Sequence, residues 1–406
     1  MSKSTRPSSW FVFATLAILG LLTFGITTAY LLLLRQSSQL RVGLLTGSSM
    51  EPTLRGPRIE MVCEKCQSKN SWTSDAWNPQ QEARCQHCND YLTTANSAYV
   101  EGEAIVYVPS ILWDKRQKAQ GKEPSGLVPI QRWDIAVLET IDADPRLRGQ
   151  IKRVVGLPGE TLAIRNGRIW VDEHPVVPTP TEFMQQALLV SSWPGKFKQE
   201  SLDKFISQSP FPIDNQLSIN AHDSHQRIPV QDIGIAFRLG KPQSQWNLKL
   251  RLRHGLSLLP IELSCYENSA QISVQKSLVT VPNWKPIWIN LVILNNRLWI
   301  LDEKQPKGSI DLELLEDGLG WGDLRLVEPD GLVDRCMIYR GLHFRGAYDS
   351  NEQNFQADQG WIVLGDNVSI SEDSRNWEQE RVELAKIRGL LNDRETLMEG
   401  LVRQEP

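Results

Sequence analysis

The stretch IKRVVGLPGETLAIRNGRIWV, Ile151 to Val171, predicts consecutive β-strands near the middle of this chain. Its segments Ile151–Val155 and Thr161–Arg165 are rich in β-branched and apolar side chains and flank a Leu-Pro-Gly turn. Asn166-Gly167 favours a type I′ turn, because both residues accept a positive φ, and this turn leads into Arg168–Val171. The stretch therefore indicates a mainly β protein.

Further segments with strand-like alternation lie on both sides of this stretch. They are Leu40–Leu45, Glu103–Val108, Asp134–Leu138, Asp232–Leu239, Trp246–Leu252, Ile261–Cys265, Gln271–Val274, Trp288–Leu294, Arg297–Leu301 and Trp361–Asn367. Val382–Gly389 is predicted to be a last segment of the core. Those between residues 178 and 344 are short and regularly spaced, which favours a β-sandwich inserted into the rest of the chain. Such sandwiches often bind carbohydrate or protein, but a fold alone does not assign a function.

The composition is that of a folded protein and argues against a nucleic-acid binder. The 406 residues allow two or three domains, and 41% of them are hydrophobic and 23% charged. The formal net charge is -4, whereas nucleic-acid-binding proteins usually have a strong basic excess.

An uncharged apolar segment, Trp10–Leu34, precedes all of the predicted strands. At about 1.5 Å rise per residue, a helix of this length reaches roughly 37 Å, enough to cross a bilayer with some tilt. The alternative is a cleaved signal peptide, but its apolar core would be only about 7–15 residues long, and no clear A-x-A site follows. We therefore predict a retained anchor. Lys3 and Arg6 before it nearly cancel Arg35 and Arg41 after it, so charge does not decide its orientation.

Two Cys-x-x-Cys pairs, Cys63/Cys66 and Cys85/Cys88, are separated by eighteen residues. This is the spacing of a zinc ribbon, in which each pair lies on a tight turn and four thiolates close a tetrahedral site. Two disulfides are the alternative, since an oxidising compartment would permit them. His87 lies inside the second pair and is interpreted as a bystander, because four cysteines already complete the site.

Four other residues carry weaker signals for metal or thiol chemistry. His222 and His225 form an HxxH pattern without a helix or a third ligand, and they are interpreted as polar loop residues. Cys265 and Cys336 are either buried thiols or a disulfide, and the sequence does not decide between the two.

Three short blocks carry the chemistry: GSSMEPTL at Gly47–Leu54, IKRVVGLPGE at Ile151–Glu160 and GDNVSISEDSR at Gly365–Arg375. In this order, after one membrane-length segment, they resemble bacterial type I signal peptidase (leader peptidase). That family consists of membrane-anchored serine proteases with a Ser/Lys dyad.

The resemblance implies roles for five residues. Ser49, the serine directly before the methionine of the first block, would be the nucleophile, and Lys152 would be the general base. Ser371 would hydrogen-bond the lysine, and Asp373 and Arg375 would form a buried ion pair that holds the site together. None of the six histidines lies in the three blocks.

The chemistry of a Ser/Lys pair requires a neutral lysine. The ordinary pKa of about 10.4 must fall by roughly two to four units before the amine can take a proton from a serine. Burial near Val154 and Val155 would lower the pKa, because desolvation penalises the ammonium form. The alternative is that Lys152-Arg153 is a solvated basic pair. Since side chains alternate along a strand, we expect at most one of the two to reach a water-excluded site.

The oxyanion of the reaction needs hydrogen-bond donors, and the backbone N–H of Ser49 is one candidate. Some family members add a serine hydroxyl two residues before the nucleophile. In this chain that position is Gly47, which has no hydroxyl. The second donor to the oxyanion would then be Ser48, or the backbone would serve without a side-chain donor. In the third block, Gly365 and Asn367 are expected to shape the turn through positive φ.

Together these observations predict a mainly β chain, with a signal-peptidase-like β catalytic core behind one N-terminal transmembrane helix, a zinc-ribbon insert and a β-sandwich-like insert. The predicted division is cytoplasmic tail 1-9, transmembrane helix 10-34, catalytic core 35-60, 99-177 and 345-390, zinc-ribbon-like insert 61-98, sandwich-like insert 178-344 and C-terminal tail 391-406.

The resemblance implies a serine endopeptidase of the bacterial cytoplasmic membrane that removes signal peptides from secretory preproteins on the outer side. Its partners would be preproteins and membrane lipid, without nucleic acid. Catalysis would need no cofactor, and the zinc would be structural. A self-cleaving soluble repressor would instead require a DNA-binding domain and no membrane segment. A membrane-anchored binding or scaffold protein with a vestigial protease core is the other alternative, and the intact Ser49, Lys152 and Asp373 argue against it.

Overall fold

The computed structural model describes residues 41–109, 130–139, 149–194, 230–302, 305–313, 321–328 and 333–391, with short gaps at 52, 66, 68, 75–76, 79, 81, 86–89, 231, 240–244, 255–256, 267–268, 285–286, 357 and 369. The predicted anchor Trp10–Leu34, the HxxH pair and the tail after residue 391 lie outside these residues. Among the residues that are described, no helix combines the length and the apolar composition needed to cross a bilayer.

The described residues are mainly β-strand, which confirms the predicted β-rich fold class. In chain order the strands are β1 Arg41–Leu44, β2 Arg58–Val62, β3 Lys69–Thr73, β4 Ala98–Val100, β5 Ala104–Pro109, β6 Ile135–Leu138, β7 Gln150–Gly156, β8 Leu162–Arg165, β9 Arg168–Val171, β10 His174–Pro175, β11 Leu188–Pro194, β12 Ile233–Leu239, β13 Gln245–His254, β14 Ser257–Tyr266, β15 Ser269–Val274, β16 Ser277–Val281, β17 Trp288–Leu294, β18 Arg297–Asp302, β19 Gln305–Asp311, β20 Trp321–Glu328, β21 Val333–Arg340, β22 Glu352–Phe355, β23 Ile362–Leu364 and β24 Ile387–Leu391. They pair antiparallel in five sheets, and one α-helix, α1 at Pro180–Gln186, accompanies them within the described part of the chain.

The first sheet has the strand order β1-β5-β24-β6-β7-β23 and carries the residues of all three sequence blocks or the loops next to them. Every residue of β6 is buried, because both faces of the sheet are covered at this point. On one face Val137 packs with Met50 and Leu54, which lie in the loop after β1. On the other face Leu138 packs with Val154. The loop that contains Ser49 therefore packs on the first sheet through Met50 and Leu54.

The second sheet, with strand order β10-β9-β8-β22, packs against the first. Val155 and Ile362 from the first sheet and Ile164 from the second belong to one buried apolar cluster. The turn between β8 and β9 has φ of 49° at Asn166 and 82° at Gly167, the left-handed conformation that the predicted type I′ turn requires.

The third and fourth sheets form a separate pair, with strand orders β11-β21-β12-β17-β18-β19 and β16-β15-β14-β13-β20. Alternate residues of both, such as Phe237 of β12 and Leu250 of β13, share one large apolar cluster, so the two sheets pack face to face. Cys265 and Cys336 are buried in this cluster, and Cys336 has a free thiol, so no disulfide joins the two. The exact bounds predicted for the insert, 178-344, stay a prediction.

The helix α1 covers the outer face of the third sheet, and our sequence analysis did not predict it. Thr179 and Glu182 form a reciprocal capping box: the Glu182 N–H donates to the Thr179 hydroxyl at 3.2 Å, and the Thr179 N–H donates to the Glu182 carboxylate at 2.8 Å. Pro180 occupies the first helical turn, where its missing N–H costs nothing. Phe183 is fully buried and anchors the helix to the sheet.

The fifth sheet, β3-β2-β4, is a small unit between the Ser49 loop and β5, and we call residues 58–100 the three-stranded module. Its buried cluster contains Met61, Trp72 and Leu92 together with Cys63 and Cys85. The partners of these cysteines in the two Cys-x-x-Cys pairs, Cys66 and Cys88, lie outside the described residues. Within the described part of the chain there is no group of three or more potential metal ligands, so the predicted zinc site stays a prediction.

Candidate active site

Lys152 is buried and forms a hydrogen bond with Ser371. It lies on β7 opposite Ala136 of β6, a residue with no exposed surface, and is itself only 3% exposed. The Lys152 Nζ donates a hydrogen bond of 2.9 Å to the Ser371 Oγ. Burial lowers the pKa of Lys152 from 10.5 to about 8; the charge of Asp373 opposes this shift and that of Arg375 adds to it. A substantial fraction of this lysine is therefore neutral near pH 8.

The third block contacts the Ser49 loop through hydrogen bonds from Asn367 to the backbone carbonyls of the loop. The Asn367 N–H donates to the Ser49 carbonyl at 3.0 Å, and the Asn367 side-chain amide donates to the Ser48 carbonyl at 3.1 Å. The Ser371 N–H in turn donates to the Asn367 carbonyl at 3.0 Å. Asn367 thus connects the loop of the predicted nucleophile to the serine that contacts Lys152.

Gly365, the first residue of the third block, lies against both Ser371 and Ser49, and the reason for a glycine there differs from our expectation. A Cβ at this position would lie 2.1 Å from the Ser371 Oγ and 2.5 Å from the Ser49 carbonyl oxygen. Neither Gly365 nor Asn367 has a positive φ, so the predicted left-handed turn is wrong. The close approach of Ser49 and Ser371, both within 2.5 Å of one point, is what excludes a side chain at this position.

The first block places its two serines differently. Ser48 is 2% exposed, whereas Ser49 is half-buried, so only Ser49 offers a hydroxyl that an approaching substrate could reach. Met50 is buried in the apolar cluster under the loop. A Cβ at Gly47 would meet no atom within 4 Å, so the position of the missing serine hydroxyl is open space.

Asp373 and Arg375 form the buried ion pair that the resemblance implies. The Arg375 guanidinium donates to both carboxylate oxygens of Asp373, from Nε at 2.7 Å and from Nη2 at 2.7 Å. It also donates to the Ser371 carbonyl at 3.2 Å, and Asp373 accepts the Gly365 N–H at 2.8 Å. The pair therefore shapes the backbone on both sides of the Lys152–Ser371 contact.

A second buried ion pair, between Arg153 and Asp366, was missed by the sequence analysis. The Arg153 Nε donates to Asp366 at 2.7 Å, and the side chains are 2% and 0% exposed. Thr53, four residues after Ser49, donates its hydroxyl to the same carboxylate. The sequence signal for this pair is the acidic Asp366 in the third block together with the basic Arg153 in the second.

The expectation that only one of the two basic residues reaches a water-excluded site is consequently wrong. Lys152 lies opposite Ala136 and Arg153 opposite Ile135, so they do lie on opposite faces of the first sheet. Both faces of the sheet are covered at this point. The buried charge of the Arg153 guanidinium is compensated by the Asp366 carboxylate, which accepts two hydrogen bonds from it. Alternation gave the direction of each side chain but not what covers each face.

What this arrangement can do chemically follows from its contacts. A buried amine that is partly neutral near pH 8 can accept a proton from a hydroxyl group. The Ser371 hydroxyl orients that amine, and the Ser49 backbone lies within the same packed group of residues. Neutral lysine and serine together are the components of acyl transfer without a histidine.

The comparisons with known proteins bear on the same residues. A family model described as "Signal peptidase, peptidase S26" matches residues 18–203, which include Ser49 and Lys152. This match confirms the resemblance indicated by the three sequence blocks. A search of curated proteins found no match.

The solved structures that match are distant. The binding domain of botulinum neurotoxin serotype D/C VPI 5993 is 11% identical over 52% of this chain and 50% of that chain, with a TM-score of 0.17. The binding domain of botulinum neurotoxin serotype C1 is 15% identical over 45% of this chain and 47% of that chain, with a TM-score of 0.18. The matched part spans about half the length of each of these solved chains. Likenesses at these TM-scores contribute nothing to the assignment of the site.

Proposed function

We propose that the chain is a membrane-bound endopeptidase that removes signal peptides by a Ser49/Lys152 mechanism, because a model of the signal peptidase family, peptidase S26, matches residues 18–203. The observation that carries this proposal is the buried Lys152, with a pKa of about 8 and a hydrogen bond to Ser371. A vestigial core would have no reason to keep a buried amine, which costs free energy of folding whenever it is protonated.

In the proposed mechanism the Ser49 hydroxyl attacks the carbonyl carbon of the scissile peptide bond. Neutral Lys152 takes the hydroxyl proton as the Oγ–C bond forms. The negative charge on the carbonyl oxygen is stabilised by hydrogen-bond donors, with the Ser49 N–H as the first candidate and Ser48 as the second. When the intermediate collapses, the C–N bond breaks and the leaving amine receives the proton from Lys152.

Hydrolysis of the acyl-enzyme completes the cycle. Lys152, again neutral, removes a proton from water as the water oxygen attacks the ester carbon. When this second intermediate collapses, the bond between the carbonyl carbon and the Ser49 Oγ breaks, and Lys152 returns the proton to the Ser49 Oγ. Ser371 keeps the amine directed at the reacting atoms throughout, because its hydroxyl lies 2.9 Å from the Nζ. Asp373 and Arg375 act indirectly, since they hold the backbone around Ser371 and Gly365.

The proposed substrate and location are supported by the family resemblance and by the sequence. Secretory preproteins are the substrates of signal peptidases, and they are tethered to the bilayer by their signal sequences. An anchor at Trp10–Leu34, with the catalytic sheets on the outer side of the cytoplasmic membrane, would confine enzyme and substrate to one surface and raise their effective concentration.

The four cysteines of the three-stranded module are proposed to hold one structural zinc ion. Cys63 and Cys85 are both buried in the same small cluster, as ligands from two turns would be. Gln67, directly after the first pair, has a φ of 59°, and its N–H donates to the Cys63 carbonyl at 2.8 Å. This closed turn fits the tight turn expected around a cysteine pair of a zinc ribbon.

A cleavage assay with a membrane-reconstituted full-length chain and a preprotein tests the proposed function. Ser49→Ala should abolish cleavage with little change in thermal stability, because the change removes one half-buried oxygen. Lys152→Arg should also be inactive, since a guanidinium stays protonated and cannot act as a base. Ser48→Ala should be much milder than Ser49→Ala, because the Ser49 N–H remains as the first candidate donor to the oxyanion. Cleavage by Lys152→Arg at a near-normal rate would contradict the Ser/Lys mechanism.

A further inference from the structure

The three-stranded module and the Ser49 loop occupy the same connection of the first sheet. β1 and β5 are antiparallel partners, with Leu44 opposite Ala104. Everything between them, first the Ser49 loop and then the module, leaves and re-enters the sheet at this one point. The two chain segments that join the module to the sheet, residues 55–57 and 101–103, are called the neck.

The neck is hydrogen-bonded to the start of the Ser49 loop and to Glu51 inside it. At the start of the loop, the Leu45 N–H donates to the Glu103 carbonyl at 3.0 Å. Across the neck, the Glu103 N–H donates to the Arg55 carbonyl at 2.9 Å, and the Arg55 N–H donates to the Glu103 carboxylate at 3.1 Å. Inside the loop, Glu51 accepts the Gly56 N–H at 3.2 Å.

Two glycines of the neck touch the loop backbone directly. A Cβ at Gly56 would lie 2.5 Å from the Gly47 carbonyl oxygen and 3.3 Å from the Ser48 Cα. A Cβ at Gly102 would lie 2.0 Å from the Leu45 carbonyl oxygen. Neither glycine has a positive φ, so only this close approach requires the missing side chain. The neck therefore contacts the peptide groups immediately before the proposed nucleophile.

We propose that the neck of the module positions the Ser49 loop for catalysis, with Gly56 and Glu103 as positioning residues. This inference rests on the proposed function for its chemistry, but the contacts themselves do not depend on it. The carbonyls of Ser48 and Ser49 are held by Asn367 on one side. The neck contacts the same loop at Leu45, Gly47 and Glu51, so the serine is aligned only when both supports are in place.

The size of the expected effect follows from the sensitivity of catalysis to geometry. A displacement of about 1 Å at the reacting group can cost on the order of 100-fold in rate. At 2.5 Å from a carbonyl oxygen, an added methyl group at Gly56 forces a backbone shift, because no flexible side chain is there to give way. Gly43→Ala is the matched control, since its Cβ would lie 3.5 Å from the nearest atom, in ordinary contact with the Ile105 side chain.

The experiment compares Gly56→Ala with Gly43→Ala in the full-length chain, using preprotein cleavage and hydrogen exchange. Gly56→Ala should lower kcat by about 10- to 100-fold with KM changed by less than about threefold. Amide exchange in the peptide covering residues 45–54 should become faster, while Gly43→Ala should leave both readouts near wild type. A merely structural defect would instead lower the thermal midpoint and the yield without separating kcat from KM.

Glu103 provides a second and milder test. Glu103→Ala should lower kcat and make amide exchange faster in the peptide covering residues 45–54. Glu103→Gln should keep kcat and exchange near their wild-type values, because the amide oxygen can still accept a hydrogen bond from the Arg55 N–H. Equal exchange in Gly56→Ala and Gly43→Ala would overturn the positioning role, whether or not the protein cleaves preproteins. Wild-type protein that cleaves no preprotein, with exchange still faster in Gly56→Ala, would overturn the proposed function and leave the positioning of the loop supported.

Discussion

Replacing Lys152 by methionine should abolish cleavage and at the same time stabilise the protein at neutral pH. Methionine keeps a long apolar side chain in the buried space and removes the charge. Burial lowers the pKa of Lys152 from 10.5 to about 8, so folding at pH 7 buries an ammonium group that the unfolded chain keeps in water. The variant is free of this unfavourable contribution.

The magnitude follows from the pKa. At about 1.4 kcal/mol for each pKa unit, the depressed value destabilises the wild-type protein by about 3 kcal/mol at pH 7. Loss of the 2.9 Å hydrogen bond between Lys152 and Ser371 offsets about 1 kcal/mol of the gain in the variant. We therefore expect Lys152→Met to be more stable than wild type by about 2 kcal/mol at pH 7.

The difference should depend on pH in a defined window. Between pH 8 and 10.5 the unfolded lysine holds a proton that the folded lysine has released, so wild-type stability rises with pH. The advantage of the variant is largest below pH 8 and disappears as pH approaches 10.5. Thermal denaturation of both proteins at pH 7 and pH 10 measures it, with the exposed Lys276→Met as control. A stability difference that is the same at both pH values would refute the depressed pKa, as would a cleavage rate in wild type that does not rise toward pH 8.

Three further predictions concern the packing around the site and the module. Asp366→Ala should lower the free energy of unfolding, measured by urea denaturation, by about 3–5 kcal/mol, because it leaves the buried Arg153 guanidinium without its carboxylate. An unchanged midpoint of urea denaturation would contradict this prediction. Gly365→Ala should lower the free energy of unfolding by about 1–3 kcal/mol, because the added Cβ would lie 2.1 Å from the Ser371 Oγ. Gly47→Ala is its control and should leave the thermal midpoint unchanged, because a Cβ at Gly47 would meet no atom within 4 Å. Metal analysis should find about one zinc ion per chain, lost in Cys63→Ser and retained in Cys265→Ser; four disulfide-linked thiols without metal would exclude the site.

Local sequence signals were sufficient where neighbouring residues decide the structure. The strands at β7, β8 and β9 follow the predicted segments closely, because alternation and the Asn166-Gly167 turn act within a few residues. Asn295 and Asn296, with φ of 47° and 61°, form a left-handed turn between β17 and β18 in the same local way. The Thr179-x-x-Glu182 capping box is an equally local signal for α1, although alternating strand segments surround it in the sequence.

The sequence alone determined that this chain is mainly β and that Ser49, Lys152 and Ser371 are the residues to examine, since order and residue type in three blocks carry that information. Only the tertiary structure decided how buried the lysine is and which groups surround it. Burial arises from coverage of both faces of the first sheet by segments far apart in sequence, such as the contact of Lys152 with Ser371 across 219 residues. The same is true of the pair of Arg153 with Asp366 and of the neck beside Ser49. A pKa and a backbone contact depend on the distances between residues in space, and no pattern along the chain contains those distances.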